Sequence, residues 1–211
     1  MSGKILLIVD PYEGINFDFR QLRWYGRNVK LAHDASAGLN YLEEEYNSLI
    51  RRHSKGKNNV LIVLSWKGEG HLYRFVRGLK DAQNLKRVSD APGGWSDASA
   101  SAEAKLLREG QNTFGRKNVV FISGEGIRNI PAILQKRGVK VDPSMQMVVC
   151  GGVYSRDASK PGCVDTYSKQ IREVLNLPQN PEIAKNATII VEKKAQFYFL
   201  GKETKKKQGV F

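Results

Sequence analysis

Val148-Val149-Cys150-Gly151-Gly152-Val153-Tyr154-Ser155-Arg156-Asp157-Ala158-Ser159-Lys160-Pro161-Gly162-Cys163-Val164-Asp165-Thr166 is the stretch on which the reading of this chain turns. The apolar run Met145 to Val149 reads as a strand closed by two glycines. A polar loop follows. Cys163 then opens a helix on which Tyr167, Ile171, Val174 and Leu175 recur at helical spacing. Strand, glycine turn, nucleophile-type residue and helix come in the order by which open α/β proteins place their chemistry. Amide N–H groups at a helix start stabilise a thiolate or a developing oxyanion. The same residues also fit a plain βα turn whose cysteine packs and does nothing else.

Working outward, the run Ile5 to Val9 is apolar throughout, as in a strand buried on both faces of a parallel sheet. Pro11 stops it and leaves Asp10 at its carboxyl end, where the carboxylate serves either as a helix cap or as part of a site. Val60 to Leu64 repeats the pattern and runs into Ser65-Trp66-Lys67-Gly68-Glu69-Gly70-His71. Val119 to Ile122 does so again, before Ser123-Gly124-Glu125-Gly126. Thr188 to Val191 reads as a fifth strand and Gln196 to Leu200 as an edge strand.

Between the strands, Leu39, Leu42, Tyr46, Leu49 and Ile50 predict a helix over 35–50. Shorter helices are expected over 72–79, 102–108 and 127–137, the last stopped by Gly138. Phe17, Phe19, Trp24 and Tyr25 lie in a polar, aromatic connection, and residues 80–102 read as a long surface loop of the lid or binding kind. The alternation predicts an α/β fold: a three-layer helix–sheet–helix sandwich with a mostly parallel, Rossmann-like sheet. One domain is expected over residues 1–201, followed by a basic tail over 202–211 that is expected to be flexible.

Composition narrows the function. With 211 residues, 41% hydrophobic and 26% charged, the chain has the make-up of a globular protein with one core. No run approaches the roughly 20 apolar residues that cross a bilayer, so no membrane partner is expected. The first apolar segment is too short for a signal sequence, and two cysteines fit a reducing, cytoplasmic setting. His33, His53 and His71 are scattered, so neither a metal nor a cofactor is expected. No G-x-G-x-x-G follows the first strand and no Walker pattern occurs, which argues against a nucleotide-binding module.

The net charge of +13 attracts polyanions, whether nucleic acid or an acidic protein, through the basic surface and the run Lys202 to Lys207. Neither stacking aromatics of the RNA-recognition kind nor a zipper-type basic helix is present, so dedicated sequence reading is not indicated. A homo-oligomer is compatible with everything above.

The four strand ends bring Asp10, Ser65 to His71, Ser123-Gly124 and the glycine loop leading to Cys163 to one edge of a parallel sheet. An aspartate near a cysteine at a helix start makes chemical sense: the carboxylate takes the thiol proton and helix N–H groups hold the oxyanion.

At this point the sequence resembles the isochorismatase-like cysteine hydrolases, the superfamily that contains nicotinamidases. Their opening pattern L-L-I-V-D-x-Q-x-D-F is approached by Leu6-Leu7-Ile8-Val9-Asp10-Pro11-Tyr12-Glu13 with Phe17-Asp18-Phe19. Their V-C-G-V-x-T-D-x-C-V-x-x-T is approached by Val149-Cys150-Gly151-Gly152-Val153 and, after an insertion, Cys163-Val164-Asp165-Thr166. The order of elements agrees over roughly residues 4 to 195.

The resemblance implies Cys163 as nucleophile and Asp10 as catalytic carboxylate. It also implies an oxyanion-hole turn at Gly152, Val153 and Tyr154, often with a cis peptide. Trp66, His71, Trp95 and Ser123 would line the pocket for a small amide or related substrate, cleaved through a thioester. The family's third catalytic member is a lysine, and Ser123 stands at that position. Serine cannot supply a positive charge, so the resemblance leaves open a catalytically inactive member that serves as a binding or assembly component. About five residues more than the family pattern separate the glycines from Cys163, Lys160 and Pro161 among them.

Overall fold

Residues 4–9 leave an exposed Lys4 and then bury five consecutive apolar side chains, a pattern that needs cover on both faces of the strand. In the computed structural model, which describes residues 3–12, 22–24, 35–56, 58–65, 97–155, 161–178 and 180–191, this strand (β1, Lys4–Val9) lies inside the sheet. The other strands are β2 (Leu22–Trp24), β3 (Val60–Leu64), β4 (Val119–Ile122), β5 (Gln146–Ser155) and β6 (Glu182–Val191). Their order is β2-β6-β5-β1-β3-β4. Every neighbouring pair is parallel except β2 with β6, so five parallel strands carry one short antiparallel edge strand. The chain is an α/β protein.

Among the described residues four helices, α1 (Ala35–His53), α2 (Asp97–Phe114), α3 (Ile130–Lys136) and α4 (Cys163–Leu175), connect the strands. Ile5, Leu7 and Val9 of β1 share one buried cluster with Ile62 and Leu64 of β3, Leu134 of α3 and Val164, Ile171 and Leu175 of α4. The alternate residues of the strands face the other way. Gly110 of α2 lies so close to Leu61 that an added Cβ would overlap its side chain, which fixes α2 on that second face. Leu42, Tyr46, Leu49 and Ile50 of α1 are buried, as are Leu106 and Leu107 of α2.

Two chain paths diverge from β1. β3 and β4 follow on one side, and β5 and β6 lie on the other. In an open parallel sheet such a reversal leaves a crevice outside the carboxyl ends of the two central strands, here β1 and β5. Asp10 follows the end of β1, and the two glycines lie on β5 where its pairing with β1 stops, at Val9 with Gly151.

Several sequence expectations shift. β5 does not stop at Val149. It continues through Gly151, Gly152, Val153 and Tyr154 to Ser155, pairing Val153 with Ile189 and Ser155 with Val191. The register slips on either side of Gly151, so the glycines form a bulge inside a strand and not a closing turn. β6 accordingly begins at Glu182 and not Thr188: Glu182 and Ile183 pair with Val148 and Val149, pairing resumes at Thr188, and polar Lys185 and Asn186 lie in the stretch that the register skips.

Leu22–Trp24 is a strand where a connection was expected. Residues 97–102, read as part of a loop, are the start of α2. The helix expected over 127–137 is a 3-10 turn, Gly124–Asn129, followed by α3. The helix expected over 72–79, the loop from 80 to 96, the strand over 196–200 and the tail over 202–211 lie outside the described residues.

Candidate functional site

Asp10 sits one residue past the end of β1. Its N–H donates to the Leu64 carbonyl at 2.7 Å, continuing the ladder to β3, and its φ of 41° lies in the left-handed region that few non-glycine residues adopt. It is 5% exposed. Strain of this kind persists where the surroundings hold the backbone in place, and here a tyrosine does so. The Tyr46 hydroxyl on α1 donates to the carbonyl of Pro11 at 2.7 Å, in the interior. Tyr12 packs edge-on against the Tyr46 ring, with centroids 5.6 Å apart and planes at 83°.

The glycine pair meets the end of β1 from β5. Gly151 pairs with Val9 of β1, and a Cβ there would overlap the Val9 carbonyl oxygen. Gly151 has φ 94° and Gly152 φ 24°, both in the region that favours glycine. A Cβ on Gly152 would overlap the Cys163 Sγ and stand 3.1 Å from the Val9 carbonyl oxygen and 3.5 Å from Val164 Cγ2. The sulfur therefore rests on the bare Cα of Gly152, at the end of β1 where Asp10 begins.

Cys163 is the first residue of α4. Its helix starts cleanly because Asp165 reaches back to accept the Gly162 N–H at 3.0 Å, a capping-box contact. Thr166 adds a second tie, its hydroxyl donating to the Gly162 carbonyl at 2.9 Å. A half-buried thiol is thus held at a helix amino end, where amide dipoles favour negative charge.

Burial pushes the Tyr46 phenol well above its usual range, and the charges of Cys150, Tyr12, Cys163 and Asp10 add to the effect. The phenol is therefore within electrostatic reach of both proposed catalytic groups. Tyr12 is also raised, by burial and then by Glu43 and Glu103. Both tyrosines stay neutral, so the Pro11 carbonyl keeps its donor. Cys150 is fully buried, its thiol directed at the Leu7 carbonyl at 3.8 Å and its ionisation pushed up by burial. It is an interior side chain, unlike Cys163.

The remaining candidates divide. Ser65, 2% exposed, ends β3 and donates its N–H to the Ile122 carbonyl at 2.9 Å. Ser123 ends β4 and accepts the Gly126 N–H on its carbonyl at 2.9 Å. Tyr167 of α4 lies over the same strand end: a Cβ on Gly124 would stand 2.9 Å from its Oη. Val153 and Tyr154 lie on β5 beyond the bulge, and the described backbone there contains no cis peptide bond, against the expectation carried by the resemblance. Trp66, His71 and Trp95 fall outside the described residues. Among the described residues no group of three or more His, Cys, Asp or Glu could hold a metal ion.

The sequence assigns Tyr12, Tyr46 and Tyr167 no part in the site. Tyr46 repeats at the spacing of an apolar stripe and so counts as core, which it also is. Tyr167 carried a usable signal, since it lies four residues after Cys163 and thus on the same helix face.

No family model matches the chain, and no curated protein and no solved structure matches it either.

Proposed function

We propose that this chain is a cysteine hydrolase of the isochorismatase-like kind, cleaving a small carboxamide or related substrate. The observation that carries the reading is the Cys163 sulfur seated on Gly152 near the carbonyl of Val9, the residue before Asp10, at the start of α4 and at the reversal of the sheet. In this scheme Asp10 takes the thiol proton as the sulfur attacks the carbonyl carbon. The amine leaves with that proton, giving a thioester. Water, deprotonated by Asp10, then attacks the thioester, releasing the acid and restoring the thiol. Helix N–H groups at the start of α4 and the backbone around Gly152 are the source of oxyanion stabilisation. The scheme calls for no cofactor.

The test uses the contrast between the two thiols. Iodoacetamide at neutral pH should label Cys163 in the native protein and spare Cys150 until the protein is unfolded, as read by peptide mass spectrometry. Cys163→Ala should abolish ammonia release from any carboxamide that the native protein turns over, with the fold intact by circular dichroism. A Cys163 that resists alkylation in the native protein would remove this reading.

One observation favours a second reading, a non-catalytic member of the same fold that binds or assembles. Ser123 is uncharged at the end of β4, where the resemblance expects a lysine. In that case the net charge of +13 would serve an acidic protein or a nucleic acid.

A further inference from the structure

The amino ends of the parallel strands form the edge opposite Cys163, and the turns that enter them are basic. α1 finishes there with exposed Arg51 and Arg52, followed by exposed Lys55. Exposed Lys4 opens β1. Exposed Arg116 and Lys117 form the 3-10 turn that enters β4. Lys136, Arg137 and Lys140, also exposed, lead into β5. Against these, the same edge brings exposed Glu173 in the last turn of α4, Asp142 and, at the start of β6, Glu182. The Asp142 carboxylate already accepts the Ser144 N–H at 2.7 Å.

These turns are stitched into one surface. Asn59 accepts the Lys4 N–H at 2.8 Å on Oδ1 and donates from Nδ2 to the His53 carbonyl at 2.6 Å, joining the end of α1 to the start of β1. The Arg137 guanidinium donates to the Val119 carbonyl, joining the turn before β5 to the start of β4. The entries of β5, β1, β3 and β4 are successive in the sheet, so three strand spacings of about 4.8 Å set a strip roughly 14 Å wide. Its field is felt inside the fold: burial lowers the His53 imidazole, and Lys4 and Arg52 lower it further while Glu182 opposes them.

Cations in the last turn of a helix also complement its dipole, which accounts for part of Arg51, Arg52 and Lys136. It does not account for Lys4, Arg116, Lys117 or Lys140, which belong to strand entries and turns. An acidic protein would be expected to meet an apolar or aromatic centre within such a surface. Among the described residues of these turns no exposed aromatic occurs, and the exposed apolar side chains are two separate prolines, Pro143 and Pro178. Phosphate contacts need charge without such a centre.

We propose that the amino-terminal edge of the parallel sheet binds the phosphate backbone of nucleic acid without reading its sequence, at a surface separate from Cys163. The proposal stands whether or not Cys163 is catalytic.

Fluorescence anisotropy of the full chain with a labelled duplex of about 20 base pairs, and with the matching single strand, tests it. Five phosphate contacts on duplex DNA would give a slope of about −4.5 for log K against log salt, and an affinity loss of about 500-fold from 50 to 200 mM salt. Arg51→Ser with Arg52→Ser should flatten that slope by about 2, as should Lys117→Ser with Lys140→Ser, with circular dichroism unchanged. Replacing Lys205, Lys206 and Lys207 by Ser should leave the response to the edge substitutions in place. No binding at 50 mM salt overturns the proposal. So does binding that ignores both edge pairs, binding abolished by the tail substitutions alone, or binding to polyglutamate but not to nucleic acid.

Discussion

At the scale of single residues, Gly152 carries the tightest constraint in the site. Its φ of 24° and the sulfur lying on its Cα leave no room for a side chain. Gly152→Ala should cost about 1–3 kcal/mol by overpacking, read from urea unfolding, and should alter the alkylation rate of Cys163 because the sulfur must move. An unchanged rate with unchanged stability would mean that the sulfur does not rest there. Cys163 itself was legible in the sequence, as a cysteine opening an amphipathic helix after glycines. Asp10 was legible as a carboxylate stranded by Pro11. The tyrosine beneath them was not, because a buried tyrosine whose hydroxyl holds a carbonyl has the same spacing as one that merely fills space.

At the scale of elements, the strands β1, β3 and β4 were readable to within a residue, since each is a wholly apolar run ended by proline, serine or a turn. α4 was readable for a related reason: glycine before it, a capping aspartate and a strong apolar stripe. The elements that escaped are those whose signal is not local. β2 is three residues long and exists by pairing with β6. β5 survives two glycines because β6 resumes pairing beyond them. α2 opens with Asp97, Ala98, Ser99, Ala100 and Ser101, small residues that a loop would also accept.

His53, at the end of α1, gives this scale its prediction. Burial and then Lys4 lower its affinity for protons below the ordinary value of 6.5. The unfolded chain thus binds a proton at pH values where the folded one does not. The His53 contribution is fully present above about 6.5 and is lost as pH falls below it toward the folded value. Thermal unfolding in chloride should show this decline, and His53→Gln should remove it. An identical pH dependence in the variant would assign the decline to other groups.

At the scale of the molecule, a net charge of +13 works against compactness through self-repulsion. Raising sodium chloride from about 0.01 to 0.1 M shortens the screening length from roughly 30 to 10 Å. The Tm should therefore rise by a few degrees, since about 1 kcal/mol corresponds to roughly 2–4 °C at this size. A Tm that stays flat over that range would show that the charges are already offset locally. The α/β class and the parallel sheet followed from alternating apolar runs. The gathering of basic turns on one edge did not, because cations that are scattered along the chain become neighbours through strand order alone. No helix among the described residues is long and apolar enough to cross a membrane.

The seat of Cys163 has one more consequence. Its position is fixed from below by Gly152 and from behind by the packing of Val164, Ile171 and Leu175 of α4 into the core. The two supports come from different parts of the fold, one from the bare backbone of β5 and the other from the buried face of α4. A change that loosens the packing of α4, such as Ile171→Ala, would therefore reach the thiol without touching any residue beside it.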